Sequence, residues 1–205
     1  MDTPPLSSSS EEQSPPGAKL PQSKAPPQGG AGQTLGPVML TEAQIQERVA
    51  QLGAQISRDY AGKDPVVIGI LKGVFVFMAD LLRAITIPVS VDFLAISRYG
   101  PTEQTRGVVN LTKDLNISLN GRHALLVEDI IDTGLTTHFL MRTLRLRQPE
   151  SLNVCVLLNR TRHRIIDIDL AYIGFDIPKV YVVGYGLDFQ ERYRNLPYIA
   201  HFKPE

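Results

Sequence analysis

The 205-residue chain balances 21 Lys plus Arg against 21 Asp plus Glu and is 43% hydrophobic and 20% charged. Those proportions are ordinary for a globular protein, and zero net charge supplies no broad basic field for duplex nucleic acid, so any anion must be bound locally. The single cysteine, Cys155, excludes an internal disulfide framework and a cysteine-rich zinc site. No apolar run approaches the roughly 20 residues that cross a bilayer, so a soluble, cytoplasmic protein is expected.

Residues 1–37 hold eight of the fifteen prolines and five glycines, and their only β-branched residues are Thr3 and Thr34. Such a stretch cannot bury enough apolar area to offset its ordering entropy. It is expected to be a disordered Pro/Ser/Gly-rich tail in front of one domain over 38–205. Its start, Met1-Asp2-Thr3-Pro4-Pro5, fits neither a secretory signal nor an organelle transit peptide.

Thr41, Glu42, Ala43 and Gln44 have the form of a capping box, and Ile45, Val49, Leu52, Ile56 and Tyr60 follow at intervals of three and four. That spacing predicts a helix ending near Gly62. A β-branched strand over 66–70 leads through Leu71-Lys72-Gly73 into a helix over 74–84. A second strand spans 89–96, and the polar segment 97–107, a candidate mobile loop, separates it from a short apolar run over 108–111. A buried strand over 123–127, a helix over 136–147 and a strand over 153–158 follow, with Cys155 read as a buried hydrophobe. Two further strands are expected over 170–173 and 180–183. The β-α-β order argues for an α/β, doubly wound architecture with a mostly parallel central sheet flanked by helices.

Ligands in such sheets bind beyond the C-terminal ends of the strands. The richest of these places lies at 124–136, where Glu128, Asp129 and Asp132 leave a strand and Thr133, Gly134 and Thr136 open a helix. Small residues at a helix N-terminus let backbone N–H groups and hydroxyls wrap a phosphate, and the acids suit sugar hydroxyls or a hydrated metal. A Thr-Gly-x-Thr alone would more often only cap its helix. Three acids at this spacing between strand and helix point instead to a phosphoribosyl site.

This segment resembles the phosphoribosyl-pyrophosphate signature of type I phosphoribosyltransferases. Three more landmarks narrow the resemblance to hypoxanthine-guanine phosphoribosyltransferases: Leu71-Lys72-Gly73, Ser97-Arg98-Tyr99-Gly100, and the run 182–188 of sequence Val-Val-Gly-Tyr-Gly-Leu-Asp; the run 193–198, Tyr-Arg-Asn-Leu-Pro-Tyr, resembles bacterial members in particular. The similarity covers nearly everything from Thr41 to Lys203. It implies a central sheet with a small hood and a mobile loop, and an Mg2+-dependent transfer of phosphoribose from phosphoribosyl pyrophosphate to hypoxanthine or guanine. By the same resemblance Asp132 is the catalytic base at purine N7. Glu128 and Asp129 hold the ribose hydroxyls, and Thr133, Gly134, Leu135 and Thr136 cradle the 5′-phosphate. Lys72, Gly73 and Arg194 take the pyrophosphate, with a cis Leu71–Lys72 bond. Ser97, Arg98 and Tyr99 belong to the mobile loop, Arg160, Tyr181 and Val182 to the base pocket, and Glu128, Asp129 and Asp188 to magnesium. A homodimer or homotetramer is implied, with no nucleic acid or membrane partner.

The chain departs from the family pattern at three places. Arg160 stands where a lysine usually donates to the purine 6-oxo group, Tyr181 where phenylalanine stacks, and Arg98 where a serine is usual. Arg98 either reaches the pyrophosphate or faces solvent. Two other readings stay open: a xanthine-preferring transferase, since arginine offers more donors, and a nucleotide-sensing regulatory homologue with weak or no transfer activity.

Overall fold

The structure, a computed structural model, describes residues 34–98, 109–161 and 164–203. Six strands make the main sheet: β2 (Val66–Leu71), β3 (Ser90–Arg98), β4 (Val109–Lys113), β5 (His123–Ile131), β6 (Ser151–Asn159) and β7 (Tyr172–Asp176), in the order β4-β3-β2-β5-β6-β7. All neighbours are parallel except the antiparallel edge pair β3–β4. Strands buried on both faces read as continuous apolar runs, which is why 66–70, 123–127 and 153–158 were legible.

Successive side chains alternate between two cores. Val67, Leu125, Val127, Cys155 and Leu157 pack against α1 (Glu42–Asp59) and α2 (Phe75–Ala84). Val66, Ile68, Ala124, Leu126, Val154 and Val156 pack against Leu140, Met141 and Leu144 of α3 (Leu135–Arg145). Each fully buried Leu or Ile contributes about 1.5–3 kcal/mol of transfer free energy. Truncating Leu125 or Leu126 to Ala would therefore loosen one helix layer from the sheet. Cys155 is fully buried, and burial pushes its thiol well above the usual range.

The capping box on α1 is formed: Gln44 N–H donates to Thr41 Oγ1 at 3.3 Å, and Thr41 N–H to Gln44 Oε1 at 2.9 Å. The helix ends at Asp59, and Gly62 turns the chain with φ 75. From α1, Arg48 donates to the Gly174 and Ile173 carbonyls at 3.0 and 2.6 Å. These contacts shield the outer edge strand β7 from further pairing.

A second, antiparallel sheet of β1 (Thr34–Leu40), β9 (Ile199–Lys203) and β8 (Val182–Val183), in the order β1-β9-β8, forms the hood. Here the tail boundary at residue 37 is corrected: residues 34–37 are strand. Gly36 and Pro37 argue against a strand locally, but Leu35 pairs with Phe202 and packs on the cluster of Val183, Tyr193, Leu196 and Phe202. Register shifts on either side of Val38 absorb the irregularity. The rest of the tail lies outside the described residues. Strand β7 also begins two residues later than expected, and β8 keeps only Val182 and Val183 of the expected four.

Candidate active site

A cleft of about 670 Å³ opens at the C-terminal ends of β2 and β5, bounded on its far side by β8 and the chain that follows it. Strand β5 runs four residues beyond its apolar stretch, so Glu128 and Asp129 lie within it. The pleat therefore sends these neighbouring acids to opposite faces. Glu128 is 6% exposed and accepts from the buried Thr137 hydroxyl of α3 at 3.3 Å. Asp129 turns the other way, towards the β2–α2 loop, and accepts from Ile130 N–H at 2.7 Å.

That loop begins with a cis Leu71–Lys72 peptide. Its next residue is Gly73, where a Cβ would run into the Asp129 carboxylate and force the loop or the acid to shift. Crowding by protein atoms pushes the Asp129 carboxyl up to about 6; Ile130 N–H and Arg194 oppose the rise, and the nearby Asp188 adds to it.

Beyond β5, Gly134 takes φ 83 as the N-cap of α3, which starts at Leu135, one residue before the expected position. The Thr133 carbonyl accepts from Ile165 and Ile166 N–H at 2.9 and 3.2 Å, which fixes the turn from outside. Thr133, Gly134, Thr136 and Thr137 line the cleft, whereas the Leu135 side chain is 47% exposed and lies outside it. A helix N-terminus opening on a cleft is suited to a phosphate.

Arg160, at the end of β6, reaches Asp132 Oδ2 with Nη1 at 3.3 Å and donates from Nη2 to the Val180 carbonyl. Its fork thus bridges the turn after β5 and the segment entering β8. Val182 is buried at the cleft wall. Tyr181 is 45% exposed beside it, and its added hydroxyl has a partner, donating to the Asp188 carbonyl at 3.1 Å. The Tyr181 ring meets Phe189 edge-on, with centroids 5.8 Å apart.

The opposite end of the cleft is built by residues 184–194. Tyr185, Gln190, Glu191 and Tyr193 have φ between 51 and 76, and Gly184 and Gly186 take φ 101 and 96. Non-glycine residues in that region cost about 1 kcal/mol each or more and need anchors. Tyr185 has one, its hydroxyl donating to Asp80 Oδ2 of α2 at 2.6 Å. Arg194 donates to the Gly186 carbonyl at 2.8 Å and lies 2.9 Å from Asp188 Oδ1. Lys72, from the cis loop, approaches Glu191 Oε2 at 3.2 Å.

Two polar lining residues, Thr137 and Glu191, were not anticipated from the sequence. Thr137 follows the expected Thr136 and was accessible to that argument. Glu191 lies three residues from both Asp188 and Arg194, a spacing that signals nothing until the turn is seen. Ser97 ends beside the cleft without lining it; Ile96 does so instead. The Arg98 backbone closes β3, and Tyr99 lies outside the described residues. Among the described residues no group of three or more His, Cys, Asp or Glu is placed to hold a metal.

The sequence profile of the phosphoribosyl transferase domain matches residues 40–190. A hypoxanthine-guanine phosphoribosyltransferase of Dictyostelium discoideum is 47% identical over 82% of this chain and 96% of its own. The crystal structure of a hypoxanthine phosphoribosyltransferase from Staphylococcus aureus superimposes with a TM-score of 0.79 at 44% identity, covering 83% of this chain and 92% of that one. One from Bacillus anthracis, a hypoxanthine-guanine phosphoribosyltransferase, gives 0.78 at 45% identity over 82% and 99%.

Proposed function

The chain belongs to the hypoxanthine-guanine phosphoribosyltransferase family, and from that membership and the cleft we infer that it serves purine salvage. It transfers the 5-phosphoribosyl group of phosphoribosyl pyrophosphate to hypoxanthine or guanine, giving IMP or GMP and pyrophosphate. The observation that carries this reading is the pairing in one cleft of an acid-and-hydroxyl helix N-terminus with a separate corner of Lys72 and Arg194. A phosphate-bearing sugar and a departing pyrophosphate need two such anion sites on either side of one reacting carbon.

In the proposed arrangement Thr133, Gly134 and Thr136, with the Leu135 backbone amide, hold the 5′-phosphate, and Glu128 and Asp129 the ribose hydroxyls. Lys72, Gly73 and Arg194 bind the pyrophosphate, whose growing charge is best met by fixed donors. Asp132 takes the proton from purine N7 as N9 attacks the anomeric carbon. Arg160 donates to the 6-oxo group, with Tyr181 and Val182 forming the ring and backbone walls of the base pocket. Ser97 and the Arg98 backbone end β3, and the mobile-loop role that the family resemblance implies, Tyr99 included, falls on residues outside those described.

Asp129 and Asp188 are electrostatically coupled, and Gly73 leaves the space that the Asp129 carboxylate fills. That donor set fits Mg2+, which takes one or two carboxylates and completes its shell with substrate oxygens and water. Bound there, magnesium would neutralise pyrophosphate charge. Glu128 faces α3, so any share it has in the metal passes through the ribose. The domain is proposed to run from the hood strand at residue 34 to the C-terminus, to assemble as a dimer or tetramer and to work in the cytoplasm. No helix among the described residues is long and apolar enough to cross a membrane.

The test is turnover with phosphoribosyl pyrophosphate, Mg2+ and each of hypoxanthine, guanine, xanthine and adenine, following nucleotide and pyrophosphate together. Formation of IMP or GMP is expected. Turnover of xanthine alone would make Arg160 a change of specificity, and nucleotide binding without turnover would favour a sensing role.

A further inference from the structure

We propose that Glu191 is an internal stand-in for pyrophosphate: its carboxylate bridges the two cations of the leaving-group corner and must swing out before the pyrophosphate moiety of a substrate can enter. The inference rests on the assignment of Lys72 and Arg194 to pyrophosphate.

One oxygen, Glu191 Oε2, lies 3.2 Å from Lys72 Nζ and 3.2 Å from Arg194 Nη2. The two cations come from segments more than a hundred residues apart. Among the described residues Glu191 is the anion that touches both. A bridging oxygen shared by an ammonium and a guanidinium is the contact a phosphate oxygen would make.

The local charge supports displacement. Lys72 and Arg194 face Asp188 and Glu191, with Asp129 also close to Arg194, so the acids already match or exceed the two cations and the corner as it stands offers a polyanion no net attraction. Exposure separates a fixed pair from a mobile pair. The side chains of Arg194 and Asp188 are 18% and 29% exposed, whereas Lys72 and Glu191 are 68% and 65% exposed. Glu191 can rotate into water while its backbone N–H stays on Asp188 Oδ2 at 2.8 Å, leaving the turn intact. Its return would help expel pyrophosphate once the sugar has been transferred.

The experiment is calorimetric titration of the full chain with inorganic pyrophosphate and Mg2+, comparing wild type, Glu191→Gln and Lys72→Gln. Because exposed ion pairs are individually weak, Glu191→Gln should bind pyrophosphate about fivefold tighter at low salt. The gain should shrink at roughly 0.5 M salt, where screening weakens the competing contact. In pyrophosphorolysis the KM for pyrophosphate should fall with the KM for nucleotide unchanged, which a general loosening of the turn would not produce. Unchanged or weaker binding in Glu191→Gln, with Lys72→Gln clearly impaired, overturns the stand-in and leaves the pyrophosphate assignment standing. Lys72→Gln binding as well as wild type would remove the assignment itself.

Discussion

The two ends of the cleft are built on different principles. The end at 128–136 comes from one continuous segment: β5 is paired with β2 as far as Val127 and with β6 through Ile131, and the following turn is pinned by two amides on the Thr133 carbonyl. The other end joins the cis loop at Lys72 to residues 184–194, where left-handed residues and charged side chains define the shape. Sheet register makes the first end stiff, whereas side-chain ion pairs make the second adjustable. On the proposed assignments, the stiff end grips the phosphoribosyl group, which stays throughout, and the adjustable end handles the group that leaves.

The largest effect should come from Asp132→Asn at the stiff end. If Asp132 draws the proton from N7, turnover should fall by roughly 10²-fold or more, while binding of phosphoribosyl pyrophosphate changes by less than about threefold, since the cradle is held by backbone bonds. Measuring kcat beside a binding titration separates the two. A parallel loss of binding would mean that Arg160, stripped of its carboxylate partner, drags the turn with it. Next in size is Gly73→Ala, where the two ends touch. The added methyl collides with the Asp129 carboxylate, so the cis loop or the acid must shift. A loss of about tenfold or more in kcat/KM for phosphoribosyl pyrophosphate is expected, in line with the sensitivity of catalysis to small misplacements. Unchanged kinetics would show that the loop adapts more easily than the contact suggests.

This difference also decided what could be read from the sequence. The stiff end was legible because strand, acids, glycine and hydroxyls follow one another in the chain. The apolar runs 66–70, 123–127 and 153–158 showed the parallel core directly. The adjustable end was reached only through its resemblance to a family, and Glu191 escaped notice because its partners Lys72 and Arg194 meet it through tertiary folding. The hood strand at 34–37 was missed for a similar reason: Gly36 and Pro37 speak against a strand, and the partner Ile199–Lys203 is remote in sequence. Pleating separated Glu128 from Asp129, a consequence of β5 running to Ile131, which the polar residues concealed.

A smaller effect should come from the scaffold of the stiff side. Asp92 is 6% exposed and accepts from Phe93, Asn116 and Ile117 N–H at 2.7, 2.6 and 3.0 Å, with Lys113 Nζ at 3.1 Å. Burial alone would raise its pKa, but these donors together outweigh it and hold the carboxyl below its ordinary value. Since the folded state binds the proton less readily, this stabilisation is present above the unfolded value of about pH 4 and is lost as pH falls through the lower folded value. Asp92→Asn should cost about 2 kcal/mol at pH 7. Below about pH 4 its melting temperature should fall less steeply than that of the wild type; parallel curves would remove Asp92 as the source.

The smallest expected effect concerns Arg160→Lys, between the two ends. Arg160 spends one nitrogen on Asp132 and another on the Val180 carbonyl, so its fork is both a donor to the base and a strut across the pocket. A lysine can reach one of these positions at a time. If the fork reads the base edge, the substitution should leave hypoxanthine and guanine turnover within roughly tenfold while lowering xanthine relative to hypoxanthine by about two- to fivefold, the loss of one polar contact among several. If the fork is only a strut, the ratio among bases should hold while kcat falls for all of them together, because Asp132 would lose its positioning partner. Competition assays with mixed bases distinguish these outcomes, and the second would move Arg160 from specificity to the support of the stiff end.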